Sequence, residues 1–251
     1  MNILVTNDDG VNAPGITALA TALRSLGRVA VVAPDREQSA IGHAITLHHP
    51  LRADQIADDV YAVSGTPTDC VNIAIHNLLD FKPDLVVSGI NRGANMGDDV
   101  TYSGTVSAAM EATLMGIPAI AVSLATAGEG SNYDAAALFI RQLAQQVIKQ
   151  GLPPDTFLNI NVPDLPRGCL KQPIITRQGK KQYQGAIVDK IDPRGRQYYW
   201  IGSIDPTFEE IEGSDYVAVS RGHISITPLH LDLTNYASMD ILRSWELSTQ
   251  S

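Results

Sequence analysis

The residues with the clearest capacity for chemistry are two adjacent carboxylates, Asp8 and Asp9, in the stretch NILVTNDDGVNAPG at 2–15. They follow Ile3-Leu4-Val5, a short apolar run bounded by turn residues, which predicts a buried strand. Ligands of open α/β sheets collect outside the carboxyl ends of such strands. Neighbouring side chains on a regular strand point to opposite faces, so the pair shares a ligand only where the chain already turns. Gly10 predicts such a turn. Two converging carboxylates repel unless they share a proton or bind a cation. Taken alone, the pair reads equally well as an Asx turn followed by a helix N-cap.

The elements around the pair narrow that choice. Ile16, Leu19, Ala20, Leu23 and Leu26 have helical spacing, and Gly27 supplies a stop. Val29-Ala30-Val31-Val32-Ala33 is a second apolar strand, so the first unit is a right-handed parallel crossover. The polar segment 36–42, with Ser39, then lies on the same rim as Asp8 and Asp9. Strands are expected at 45–51, carrying His48 and His49 as structural residues, and at 60–63. Thr66 as N-cap and Pro67 at the first position open a helix over 68–79. The strand at 85–90 runs into an amide- and glycine-rich loop at 91–97. Ser103-Gly104-Thr105 begins a helix through 115, followed by a strand at 118–124 and a helix at 133–149. Repeated β-α-β order predicts an α/β fold, a doubly wound and mostly parallel sheet.

Beyond Gly151 the pattern changes. A strand is expected at 157–162, after which Pro163, Pro166 and Pro173 break regularity. Residues 180–204 alternate polar and aromatic side chains, including Tyr183, Tyr198, Tyr199 and Trp200. They read as an extended hairpin turning at 192–195. Strands at 217–220 and 223–227 and a helix at 236–246 complete the chain. The expected organisation is a core at 1–150 and a C-terminal lobe at 151–251. That lobe would complete the sheet and carry oligomer contacts through its hairpin arm.

Composition bounds the partners. The chain has 251 residues, 44% hydrophobic and 18% charged, in the range of an ordinary globular protein. A net charge of −9 argues against a footprint for duplex nucleic acid or an anionic membrane. It permits an anionic substrate where a bound cation reverses the local field. Cys70 and Cys169 show no CxxC spacing, which fits a reduced, cytoplasmic setting, with Cys70 as packing. No basic segment precedes the first apolar run, and no stretch approaches the ~20 apolar residues of a membrane span.

Three apolar strands therefore end in oxygen-rich loops: Asp8-Asp9, the segment with Ser39, and Asn91 with Asn95. Two carboxylates, an amide and a hydroxyl form a hard, all-oxygen donor set. That set suits Mg²⁺, Mn²⁺ or Ca²⁺ rather than Zn²⁺ or copper. The Ser103-Gly104-Thr105 turn adds backbone N–H groups and a positive dipole end, an anion site. Each feature alone is weak, and their coincidence at successive strand ends favours the metal reading over the cap.

The same segments carry a resemblance. NDDGVNAPG at 7–15, VVAPDREQSAIGHAIT at 31–46, SGTPTDCV at 64–71 and VVSGINRGANMGDDVTYSGTVSAAMEA at 86–112 resemble the SurE family, the survival-protein-E nucleotidases. The four segments occur in family order and spacing across the first 125 residues. The resemblance implies a Rossmann-like core and removal of phosphate from nucleoside monophosphates, dependent on one divalent metal ion. It implies Asp8, Asp9, Ser39 and Asn91 as metal ligands, and Asn95, Ser103, Gly104 and Thr105 around the phosphate. It also implies a homodimer or tetramer built with the C-terminal arm. Ala40 stands where the family often has glycine, and Ser107 where glycine is common. Alanine takes a positive φ only at a cost, which predicts a stiffer loop.

The mechanism expected on these grounds is in-line attack by water. Asp8 or Asp9 would orient the water or accept its proton, and Asn95 and the 103–105 turn would stabilise equatorial oxygens. His43, four residues after Ser39, is a candidate acid for the leaving oxygen against the commoner role of a loop hydrogen bond. Glu111 reads as a packed or solvated charge. Gly10 at the second position after Asp8 disfavours an Asp-x-Asp phospho-aspartate route. Thr6-Asn7 before the pair disfavours a His-Pro-Asp-Asp deacetylase, and a GxGxxG dinucleotide fingerprint is absent. The remaining rival is a nucleotide-binding regulatory module that does not hydrolyse. Base preference, 5′ against 3′ phosphate and activity on short polyphosphate depend on pocket shape.

Overall fold

A computed structural model of the chain describes residues 1–126, 131–182, 187–201, 207–245 and 247. The first half runs β1 (Asn2–Thr6), α1 (Pro14–Leu23), β2 (Arg28–Pro34), β3 (Ala53–Ala57), β4 (Val60–Val63) and α2 (Pro67–Ile73). It continues through β5 (Leu85–Arg92), α3 (Gly104–Leu114), β6 (Ala119–Ala125) and α4 (Asp134–Gln150). After these come β7 (Thr156–Pro163), β8 (Lys171–Ile175), β9 (Lys181–Gln182), β10 (Ile187–Ile191) and β11 (Gln197–Ile201). The chain ends with β12 (Thr207–Phe208), α5 (Asp215–Ser220), β13 (His223–His230) and α6 (Tyr236–Arg243).

Among the described residues one sheet has the order β3-β4-β2-β1-β5-β6-β7-β13-β8. All neighbours are parallel except β3 with β4 and β7 with β13. The order reverses between β1 and β5, so the loops after those two strands flank the crevice where such sheets bind ligands. Both faces are covered. Leu19 and Leu23 of α1 and Ile140 and Ala144 of α4 share one core with Ile3, Val5 and Val87. Val71 of α2 and Ala108, Ala109 and Ala112 of α3 share the other with Leu4, Val86 and Ala119. Burial on both faces explains the unbroken apolar runs of β1, β2 and β5. The fold is the doubly wound α/β architecture expected, and β7, β13 and β8 extend the same sheet.

Two expected strands are something else. Residues 45–51 form no strand: Ile45 and Leu47 are exposed, Pro50 removes a donor, and His48 and His49 lie on exposed coil. The apolar alternation there found no partner strand, and β3 begins only at Ala53. Residues 217–220 belong to α5, because Ser214 caps a helix by accepting from the Val217 N–H. A four-residue apolar window cannot distinguish helix from strand. The expected helix over 68–79 is α2 followed by a π-helical turn at Ala74–Leu78.

The expected hairpin exists as β10 paired antiparallel with β11, turning where Asp192 accepts from the Gly195 N–H. Tyr183, Ile204 and Glu246 lie outside the described residues. Cys70 is buried and Cys169 exposed, both free. Among the described residues no helix is long and apolar enough to cross a membrane.

Candidate functional site

The loop after β1 separates its turn from its chemistry. Asn7 is fully buried and closes the turn: its Nδ2 donates to Gly10 O at 3.0 Å, and Gly10 N–H donates to its Oδ1 at 3.2 Å. The residue before α1 is Ala13, with no side-chain cap. Asp8 and Asp9 thus serve neither as turn former nor as cap of α1, and the competing reading of the pair falls away.

Asp8 points at the start of α3. The Thr105 hydroxyl donates to its Oδ1, and the Thr105 N–H donates to Oδ2 at 3.1 Å. A side chain on Gly104 would place its Cβ 2.9 Å from Asp8 Cβ, so only glycine lets the carboxylate approach this closely. Ser103 caps the helix, its Oγ accepting from Val106 N–H at 3.1 Å. The helix N-terminus that the sequence offered to a substrate phosphate is occupied here by Asp8. Burial pushes the Asp8 carboxyl above its usual range, against the lowering effect of the Thr105 and Gly104 donors.

Asp9 takes one hydrogen bond, from Arg92 N–H to Oδ2 at 3.0 Å. Its pKa is pushed up to about 6, chiefly by burial and further by the charges of Asp8 and Glu37. Among the described residues neither aspartate forms an ion pair.

The third and fourth donors come from the neighbouring strand ends. Ser39 lies on the exposed loop after β2, and its hydroxyl donates to Glu37 at 2.6 Å. Ala40 adopts a left-handed φ of 56°, a conformation that alanine takes only at a cost. Asn91 stands one residue before the end of β5, where the pairing with β6 shifts register between Ser88 and Asn91. Gly89 permits this shift, since a Cβ there would lie 2.2 Å from Val122 O. Asn91 Nδ2 donates to Gly93 O at 2.8 Å, leaving its Oδ1 without a partner among the described residues.

Asn95 is held from below by residues that sequence reasoning missed. Its N–H donates to Asn161 Oδ1 at 2.8 Å, and its carbonyl accepts from Asn159 and Asn161 Nδ2 at 2.8 and 3.0 Å. Its Nδ2 meets Ser123 Oγ at 2.8 Å. A hydroxyl donates as readily as it accepts, so the flipped amide would be equally satisfied. The available signal was Asn-x-Asn at 159–161, amides inside an otherwise apolar buried strand. Farther along, the fully buried Asp215 accepts from Gly97 N–H, Gly179 N–H and Tyr216 N–H at 2.9, 2.9 and 2.8 Å. Burial raises its pKa against those donors. It ties the loop after β5 to the C-terminal lobe, and no local motif announced it.

Asp8, Asp9, Ser39, Asn91, Asn95 and Ser103 all line one cavity of about 770 Å³. Gly104 and Thr105 stand behind Asp8 instead of on the wall. His43 is also off the wall, its Nε2 2.7 Å from Glu111 Oε2. Of the cavity's further acids, Asp35 is paired with Arg36 and Asp99 with Lys181 at 2.7 Å, while Glu37 accepts from Ser39 and has no ion pair among the described residues. Arg92 is then the lining cation without an ion pair among the described residues. A phosphate dianion entering beside Asp8 and Asp9 would be repelled unless a cation came with it.

The donor set fits a divalent cation on chemistry visible here: two desolvated, mutually repelling carboxylates beside neutral oxygens of Ser39 and Asn91. The set is all hard oxygen, and no group of three or more His, Cys, Asp or Glu forms a cluster among the described residues.

The chain is similar to known proteins along nearly its whole length. The family described as survival protein SurE matches residues 3–185. A protein named 5′-nucleotidase SurE from Geotalea daltonii is 70% identical over 247 residues, covering 98% of this chain and 100% of that one. One of the same name from Geobacter sulfurreducens is 70% identical over 248 residues, covering 99% and 95%. Among solved structures, the SurE protein from Aquifex aeolicus superposes with a TM-score of 0.87 at 46% identity, covering 97% and 98%.

Proposed function

Because the chain belongs to the SurE family, we propose that it is a 5′-nucleotidase that uses one divalent cation, Mg²⁺ or Mn²⁺. Its substrates are nucleoside monophosphates, with 3′-nucleotides and short polyphosphate within reach of so open a cavity. The observation that carries this reading is the pair Asp8 and Asp9, desolvated and without an ion pair among the described residues, at the crevice between β1 and β5.

Asp8, Asp9, Ser39 and Asn91 would hold the cation, which neutralises phosphate charge and makes water more acidic when bound. The roles of the two aspartates divide on their hydrogen bonds. Asp8 is fixed by Thr105 on both oxygens, which suits a rigid ligand. Asp9 has an oxygen free of hydrogen bonds among the described residues, which leaves it a place to accept a proton from water. In the reaction the water oxygen bonds to phosphorus, the ester P–O bond breaks, and Asp9 takes the proton that water gives up. The leaving oxygen takes a proton from solvent water, so the nucleoside departs as its hydroxyl, and Asp9 returns its proton to solvent. Asn95, with its amide in the flipped orientation, and Arg92 would stabilise the phosphoryl oxygens as negative charge shifts. A second copy of the chain would cover the apolar hairpin β10–β11, giving a homodimer or tetramer.

The test is phosphate release from a panel of nucleoside 5′- and 3′-monophosphates and polyphosphate, in EDTA, Mg²⁺, Mn²⁺ or Zn²⁺. Wild type is expected to release phosphate with Mg²⁺ or Mn²⁺ and not in EDTA. Asp9→Asn should lose on the order of a thousandfold in kcat. Tight nucleotide binding without release under any metal would replace the hydrolase with the regulatory module.

A further inference from the structure

Resting on the metal reading above, we infer that His43 and Glu111 are a positioning pair that sets where Ser39 stands relative to Asp8. The eighteen residues between β2 and β3 form no helix or strand, yet they carry a proposed ligand. Such a segment holds one geometry only if side chains fasten it. Upstream of Ser39 the Gln38 N–H donates to Asp8 O at 2.8 Å. Downstream, Gly42 N–H donates to Tyr102 O at 3.0 Å, and His43 reaches Glu111 at 2.7 Å. Thr66 Oγ1 donates to Ala44 O at 2.7 Å, and Thr46 meets Asp69 through N–H and hydroxyl at 2.9 and 2.6 Å.

Within that series the His43 contact has a distinct consequence, because Glu111 is on α3. The first turn of α3 holds Asp8 through Thr105, and six residues later, about 9 Å along the axis, the same helix holds the Ser39 loop. One rigid element therefore spaces two of the four proposed ligands. Glu111 is nearly buried, and Asn72 of α2 occupies its other oxygen at 2.6 Å, so the carboxylate cannot rotate away from His43. The left-handed Ala40 lies between the two anchored ends, and the chain accepts its cost where both sides are tied down. Outer contacts of this kind orient ligands and are worth about 10–100-fold in metal affinity. The histidine ring is turned to Glu111 and off the cavity wall, so its role is positioning rather than acid catalysis.

The experiment compares wild type with His43→Ala, His43→Gln and Glu111→Ala in three measurements. These are Mn²⁺ binding by calorimetry without substrate, hydrogen exchange of residues 38–46 in the metal-free protein, and kcat against metal concentration. His43→Ala is expected to weaken Mn²⁺ about 10–100-fold, to speed exchange in 38–46 alone, and to recover kcat within a few-fold at saturating metal. His43→Gln, which returns a donor near the same place, should restore most of the affinity. Glu111→Ala should behave as His43→Ala where it folds, and the glutamine variant keeps the test independent of that. Unchanged exchange and affinity in His43→Ala would overturn the pair, as would a loss of kcat that saturating metal does not restore. If wild type itself binds no metal, the proposed function fails, and exchange in 38–46 still decides whether the pair holds the loop.

Discussion

The rim of the cavity and the hairpin arm reverse the usual link between regular backbone and fixed side chains. The rim is built from loops with little helix or strand, yet several of its polar groups are met one by one: Asp8 by Thr105, Asn95 by Asn161 and Ser123, Asp99 by Lys181. The arm has a full antiparallel ladder from Ile187 to Ile201, and its apolar side chains meet solvent. Ile187, Ile191 and Ile201 are 68%, 72% and 90% exposed, all on one face with Tyr199. The rim is complete within one chain, whereas the arm presents what a neighbour would bury. Order at the rim therefore belongs to side chains far apart in sequence, and order in the arm to backbone pairing.

The comparison breaks most readily at Asp215. Replacing it with alanine strands the N–H groups of Gly97, Gly179 and Tyr216, all now satisfied by one buried carboxylate. Part of that loss is returned, because a desolvated charge is removed as well. A net destabilisation of about 3 kcal/mol is expected, read by denaturant unfolding, with faster exchange in residues 93–103. A loss below about 1 kcal/mol would mean that the rim does not depend on the C-terminal lobe.

That residue also marks how far the sequence could be read. Apolar runs at β1, β2, β5 and β6 made the doubly wound sheet legible, because burial on both faces leaves only apolar residues in such strands. Asp8, Asp9, Ser39, Asn91 and Asn95 were legible as a group because parallel strands bring successive ends to one rim, and they do line one cavity. Thr105 was legible as a donor, but not that its acceptor is Asp8, 97 residues away. Asp215 and Gly97, 118 residues apart, follow from no spacing rule. The false strands at 45–51 and 217–220 came from short apolar patterns whose outcome was decided by Pro50 and the Ser214 cap.

A second test separates satisfied rim groups from one left strained. Asp9 has a pKa of about 6 against an ordinary 3.8, so its ionisation opposes folding. The cost is absent below about pH 4, grows as pH rises and is complete above pH 6. Asparagine keeps an acceptor for Arg92 N–H and removes the charge. In EDTA at pH 8, Asp9→Asn should be more stable than wild type by about 1–2 kcal/mol after screening of a partly exposed group. At pH 4 the two should coincide. A deficit in the variant at pH 8 would place Asp9 among the satisfied groups. The predicted gain, set against lost activity, is the expected cost of holding two carboxylates together for a cation.

The smallest effect on the chain's own stability is expected in the arm. Ile201→Asp alters a side chain that is 90% exposed, so unfolding of the isolated chain should change by less than about 0.5 kcal/mol. Its cross-strand neighbour Ile187 lies on the same face, and a carboxylate there would have to be desolvated on association. Light scattering behind size exclusion should therefore show wild type above monomer mass and Ile201→Asp shifted toward the monomer. Phosphate release per chain should change far less than with Asp215→Ala, because none of the rim contacts passes through β10 or β11. A monomeric wild type would remove the arm as an interface. An assembly lost together with activity would instead mean that the rim is not complete within one chain, and the contrast between the two regions would fail at its first premise.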